Sequence, residues 1–239
     1  MTHETLFQIA QLEIQDRRGE DTCVSDNGFC PDWIVDNFSD RYIDPLLQHI
    51  MLTLVSVVIG FVIAFALALI AHRRQWLIAP FAGLTAVLYT IPSVALFLLL
   101  LPVTGRGDLT AIIALVAYTQ VIIFRNIMTG LANVPAEAKD SARGMGLTDR
   151  QMLWRVELPL SLPEILAGLR IATVSTVNLA TLAFFAGGGG LGQQIFTDVE
   201  FKSNVIVAGG LAVLLAVFFD VLILGGQRLA TPWRRAGVT

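Results

Sequence analysis

Charge is what this sequence has little of. Asp, Glu, Lys and Arg make up 15% of its 239 residues, against about 25% in soluble domains. Several windows of about twenty residues, the length a bilayer core requires, carry no charge at all. With 55% hydrophobic residues and a mean hydropathy of +0.69, the scarcity excludes a soluble globular domain and points to a polytopic membrane protein. The net charge of −3 comes with no basic stripe to neutralise phosphates, which excludes nucleic acid as a partner. His3, His49 and His72 share no metal spacing, so no metal site is expected. No serine, histidine and acid suggest a catalytic set, and no cofactor is expected. The opening "MTHETLFQIAQLEIQDRRGED" is acidic and amphipathic, without the basic region and apolar core of a signal peptide. Ten of the 19 acidic residues precede position 45.

Glycine is present in one dense run, "FFAGGGGLGQQIF" (184–196). Gly187, Gly189 and Gly192 satisfy G-x-G-x-x-G, a dinucleotide fingerprint that has meaning only between a strand and a helix. Here it follows an apolar span, and no G-x-x-x-x-G-K-[ST] sequence exists anywhere in the chain. The nucleotide reading therefore fails. Gly187, Gly188, Gly189, Gly190 and Gly192 instead read as a close-packing or positive-φ turn at an outer gate, or as a flexible loop.

Five apolar spans are legible: 50–71, 77–103, 109–131, 165–186 and 205–226. Lys and Arg near span ends favour the cytoplasm. With the N-terminus outside, eleven of the sixteen basic residues fall on the inner side, five on the outer. The expected layout is an acidic extracytoplasmic segment 1–48, a transmembrane domain 49–230 with a cytoplasmic loop 133–163, and a cytoplasmic tail 231–239. "CVSDNGFC" places Cys23 and Cys30, the sole cysteines, outside and around a turn sequence, which suits a disulfide. Residues 32–50 read as an interfacial helix leading into the first span, with Ile34, Phe38 and Tyr42 on one face and Pro45 marking the bend, resting on the outer membrane surface or docking against a partner protein.

The loop "NVPAEAKDSARGMGLTDRQMLWRVELPLSLPEI" (133–165) is the most informative stretch. Pro135 suits a helix start, and Gly146 suits the left-handed residue that stops one. Thr148 and Gln151 form a capping-box pattern, opening a second helix that is expected to end near Glu157, before Leu158-Pro159. Ser161 and Glu164 form a further box leading into the fourth span. The pattern Asp140-Ser141-Ala142, three residues, Gly146, nine residues, Val156, one residue, Leu158-Pro159 resembles the E-A-A-x3-G-x9-I-x-L-P signature of bacterial ABC importer permeases. "YTIPSVALFLLLLPVTGRG", "ARGMGLTDRQMLWRVELPLSLPEILAGLRIATV" and "GGGGLGQQIF" are similar to the osmoprotectant branch, permeases for glycine betaine, choline, carnitine and related amines.

The resemblance covers about 46–230 and implies an all-α type I importer permease fold of five transmembrane helices in a bacterial plasma membrane. It implies that the chain is no enzyme, and that a dimer of ABC ATPase subunits, a second permease subunit (identical or paralogous) and an extracytoplasmic substrate-binding protein are its partners. Residues 136–157 would then couple to the ATPase through Glu137, Asp140, Ala142, Gly144, Gly146, Arg150, Leu153, Val156, Leu158 and Pro159. Asp140-Ser141 stands where the family has Glu-Ala, and residues 1–44 lie outside the pattern. The same machinery with another solute, such as ergothioneine or an amino acid, remains an alternative, as does a channel or secondary transporter.

Within the spans, Pro92 removes a helical hydrogen bond, which marks Tyr89, Thr90, Pro92 and Ser93, together with Asn178, as translocation-path residues or as a packing kink. Arg125 and Asp220 share a membrane depth and have opposite sign, so they are expected to pair, the rivals being Arg125 meeting backbone carbonyls or a neighbouring helix end and Asp220 facing a second permease subunit.

Overall fold

The computed structural model describes residues 22–232, and no strand occurs among them. Residues 1–21 of the acidic segment and residues 233–239 of the tail lie outside the described residues. A single helical turn, Thr22–Ser25, precedes α1 (Pro31–Arg73), α2 (Ile78–Thr90), α3 (Ser93–Thr104) and α4 (Asp108–Ala132). Then come α5 (Ala136–Gly144), α6 (Asp149–Met152), α7 (Leu158–Ala180), α8 (Leu191–Thr197) and α9 (Lys202–Ala230). Among the described residues four helical stretches are long and apolar enough to cross a membrane: Pro31–Arg73, Asp108–Ala132, Asp149–Ala186 and Lys202–Ala230.

The span expected at 77–103 is broken rather than straight. Its halves, Gln75–Thr90 and Ser93–Thr104, meet at 96°. Pro92 has no N–H to continue the ladder, and its ring pushes Ile91 out of the helical region, where φ is −66° and ψ 126°. The Ile91 carbonyl left over accepts a hydrogen bond from the Tyr118 hydroxyl on α4.

Small residues set the packing. Ala64, Ala68 and Ala71 of α1 are fully buried against Ile123, Phe124, Ile127 and Leu131 of α4, in a cluster that also holds Leu153, Leu158, Ile165 and Ala172. A second cluster gathers Leu52, Phe97, Leu115, Tyr118 and Ala183. Without a hydrophobic force between helices in lipid, close approach of small side chains supplies the attraction. Val213, Leu214, Val217 and Phe218 of α9 and Val58 and Val62 of α1 remain exposed, a surface suited to lipid.

The N-terminal expectation needs correction. α1 is one continuous helix of 43 residues with Pro45 inside it, about 64 Å at 1.5 Å per residue, so no separate interfacial helix precedes the first span. Protein contacts hold the extension. Tyr42 is fully buried, and its hydroxyl donates to Asn204 at 3.0 Å. Trp33 packs edge-on against Phe201 at 4.7 Å between centroids, with the Arg41 guanidinium 5.1 Å from the Trp33 ring. Cys23 and Cys30 form a disulfide. The Cys30 N–H donates to Ser203 Oγ at 2.7 Å, and that hydroxyl donates to the Gly28 carbonyl at 3.1 Å. The covalent loop is thereby tied to the start of α9.

A hairpin, a broken span and a glycine clasp

The 133–163 loop forms a hairpin. α5 starts directly after Pro135 and ends at Gly144, and Met145 remains helical. Gly146 then turns left-handed at φ +78°, its N–H bonded to the Arg143 carbonyl and that of Leu147 to the Ala142 carbonyl. Both halves of the capping box between Thr148 and Gln151 are made. The break expected at Leu158-Pro159 does not occur. Instead the ladder widens by one residue at Leu153–Glu157, where the Leu158 N–H reaches back five residues to the Leu153 carbonyl. Such a wide turn absorbs a residue that cannot donate, so Pro159 enters an unbroken run from Asp149 to Ala186. Ser161 is consequently no cap; it is buried in α7, its hydroxyl donating to the Leu158 carbonyl at 3.1 Å.

The hairpin has two faces. Ala142, Met152, Leu153 and Leu158 are buried, and Leu153 and Leu158 belong to the cluster that packs α1 on α4. Val156 is half-buried; Glu137, Asp140, Gly144, Gly146, Arg150 and Pro159 are exposed. Met145 at 73% exposure and Trp154 at 52% present large apolar side chains outward. Arg143 and Asp140 pair at 3.2 Å with both side chains exposed, a contact of little energetic weight. A buried carboxylate joins hairpin to span: Glu157 lies 2.8 Å from His72 Nε2 at the end of α1 and 3.6 Å from Lys139 Nζ on α5. A cleft of about 600 Å³ opens beside this trio. Sequence reading missed the trio, because its members are 67 and 18 residues apart, as the positions His72, Lys139 and Glu157 show.

The broken span opens a second cavity, of about 370 Å³, between α2 and α4. Tyr89, Thr90, Arg125 and Asn126 line it, over an apolar wall of Ala86, Val121 and Ile122. Of the translocation-path residues, Tyr89 and Thr90 are brought together there, whereas Pro92, Ser93 and Asn178 do not line it. Asn178 is exposed on α7.

The pairing of Arg125 with Asp220 is not made. Asp220 is held by Arg170 of α7, whose Nε and Nη2 reach its two carboxylate oxygens, Nη2 at 2.9 Å. Matching depth and sign selected the wrong arginine because α9 packs on α7, whereas Arg125 turns toward the cavity beside α2.

The glycine run packs closely against α1. Gly188, Gly189, Gly190 and Gly192 are buried. A Cβ on Gly192 would lie 1.9 Å from the Thr181 carbonyl oxygen, which no side chain tolerates. The Gly190 N–H donates to Gln48 Oε1 at 3.2 Å, and Gln48 Nε2 donates to Asp108 at 2.9 Å. Gly187 and Gly190 both have positive φ. A 3-10 segment, Thr181–Ala186, precedes the run and α8 follows it, so the strand that a dinucleotide loop requires is absent here. Among the described residues no three His, Cys, Asp or Glu gather to hold a metal ion.

A bundle of membrane-length helices with one broken span and a hairpin packed on it suits a membrane component. Residues 56–231 match the family described as "Binding-protein-dependent transport system inner membrane component". The chain is 34% identical over 187 residues to the choline transport system permease protein OpuBB of Bacillus subtilis, covering 77% of this chain and 86% of that one. It is 34% identical over 192 residues to the osmoprotectant import permease protein OsmW of Salmonella typhimurium, covering 77% and 89%. Its fold is similar to an inward-facing crystal structure of the MetNI methionine ABC transporter, with a TM-score of 0.73 at 21% identity, over 81% of this chain and 98% of that one. The chain belongs to the family of inner-membrane components of binding-protein-dependent transport systems. It is a permease subunit of an ABC importer in the inner membrane, with ATP hydrolysis assigned to a separate subunit and solute delivery to a binding protein.

Proposed function

We propose that this permease carries a quaternary-amine osmoprotectant, glycine betaine, choline or carnitine, across the inner membrane. The observation that supports the substrate class is the breadth of likeness to permeases named for these solutes, 34% identity over 77% of the chain for each of two relatives in Bacillus subtilis.

In this reading two permease subunits pair, and the N-terminus lies outside with the tail inside. A dimer of ATPase subunits receives the exposed Met145 and Trp154 of the hairpin. Motion of the docked hairpin reaches the spans through Leu153, Leu158 and the Glu157 trio, because close-packed side chains transmit displacement rather than absorb it. The break at Pro92 lets α2 and α3 move as separate rods beside the path at Tyr89, Thr90, Pro92, Ser93 and Asn178. The glycine clasp (Gly187–Gly190 and Gly192) closes the outer side. Residues 22–48, held to the start of α9 by the hydrogen bonds of Ser203 with Cys30 and Gly28, form an outer lobe nearest the binding protein.

Expression of the complete transporter in a bacterium lacking its own osmoprotectant importers provides the test. Growth at high salt is expected to be restored by one or more of glycine betaine, choline and carnitine. No rescue by any of the three, with the complex present in the membrane, would overturn the substrate class.

A further inference from the structure

The cavity between α2 and α4 is lined by an exposed arginine, Arg125, that no carboxylate among the described residues neutralises. Among the described residues Arg125 has no ion-pair or hydrogen-bond partner, because the carboxylate at its depth, Asp220, is occupied by Arg170. The other polar groups lining the cavity differ. The Asn126 amide donates to the Ile122 carbonyl at 2.8 Å, and the Thr90 hydroxyl donates to the Val87 carbonyl at 2.7 Å. Each is satisfied by its own helix. Arg125 lies seven residues before the inner end of α4 at Ala132, about 10 Å at 1.5 Å per residue. A guanidinium there is costly unless it faces water, an anion or backbone carbonyls, and irregular backbone at membrane depth, such as the break at Ile91–Pro92, is tolerated where it meets protein or lines a water-filled space.

The α2 side of the cavity has the complementary chemistry. α2 terminates at Thr90 beside it, so the carbonyl end of that helix, with its partial negative charge, is directed at the break. Tyr89 lies on the same wall, 5.8 Å from Tyr118 between ring centroids, and aromatic faces attract quaternary ammonium groups. One space thus brings together the Arg125 cation, the Tyr89 ring and the C-terminal end of α2.

We propose that Arg125 binds the carboxylate of a zwitterionic quaternary amine, a betaine or carnitine, while Tyr89 and the carbonyl end of α2 receive its trimethylammonium group. This rests on the osmoprotectant reading above and narrows it. Choline carries the ammonium but a neutral hydroxyl, so it leaves Arg125 without its counter-charge. The site therefore favours passage of zwitterions over choline after the binding protein has released its cargo.

The test uses the complete transporter in proteoliposomes, with maximal uptake rates of radiolabelled glycine betaine and choline at saturating loaded binding protein. In Arg125→Gln the betaine-to-choline ratio of maximal rates is expected to fall about tenfold, the loss of one charge-assisted contact, and Arg125→Lys to recover part of it. Where wild type carries zwitterions alone, the betaine rate itself falls about tenfold in Arg125→Gln. Tyr89→Leu is expected to slow both solutes. Equal slowing of both by Arg125→Gln, an unchanged ratio or rate, or a wild type that carries choline and no zwitterion would overturn the Arg125 assignment alone. A wild type that carries none of these amines would overturn the osmoprotectant reading and this site with it.

Discussion

Arg170 on α7 grips Asp220 on α9 with two guanidinium nitrogens, Nη2 lying 2.9 Å from Oδ2. The pair pins together two helices that otherwise meet through Val177, Leu215, Ala216 and Phe219. Removing one partner strands the other charge at membrane depth, which costs about 2.5–3.5 kcal/mol on insertion scales. Asp220→Asn or Arg170→Gln alone is expected to lower thermal stability in detergent, and the double change to recover much of the loss. Strictly additive losses in that cycle would show that the two side chains do not stabilise each other.

Gly146 stands at φ +78° with open space where a Cβ would go, so a substitution there meets backbone strain and no clash. A left-handed conformation costs a side-chain-bearing residue about 1–2 kcal/mol. Gly146→Val should insert and assemble but transport poorly, while Gly146→Asn, which tolerates this region, should retain most transport. Wild-type rates in the valine variant would remove the turn from the coupling mechanism.

Glu157 is buried between His72 and Lys139, joining the hairpin to the inner end of the first span. Glu157→Gln keeps the shape and removes the charge. ATP hydrolysed per solute imported is expected to rise several-fold, since the ATPase would still turn over while the hairpin moves less faithfully with α1. An unchanged ratio in proteoliposomes would reduce the trio to packing.

The disulfide between Cys23 and Cys30 closes a loop of eight residues that sits on Ser203. In the chain-entropy picture such a closure contributes about 2–3 kcal/mol to the outer lobe. Alkylation without reductant should label neither cysteine, and the double serine variant should expose 22–48 to protease. Two free thiols in native protein would contradict the bridge.

Much of this was legible in the sequence because it is local. The left-handed Gly146, the capping box at Thr148 and the break at Pro92 follow from residue types a few positions apart, as do the apolar spans. What failed depended on neighbours far along the chain. Pro159 reads as a stop, yet a wide turn at Leu153–Glu157 carries the helix through. The Ile34, Phe38 and Tyr42 stripe reads as a membrane-resting face, but Tyr42 meets Asn204, 162 residues away. Arg125 and Asp220 match in depth and sign, but depth does not specify which helix faces which, and Arg170 is nearer.

ATP-driven uptake tests the permease assignment most directly. Proteoliposomes containing this chain with its ATPase, supplied with the loaded binding protein, are expected to accumulate glycine betaine, choline or carnitine only when ATP is hydrolysed. Accumulation should vanish when an ATPase variant unable to hydrolyse ATP is substituted. Uptake at an undiminished rate with that inactive ATPase would mark the chain as a channel or secondary transporter and contradict its place in an ATP-driven importer.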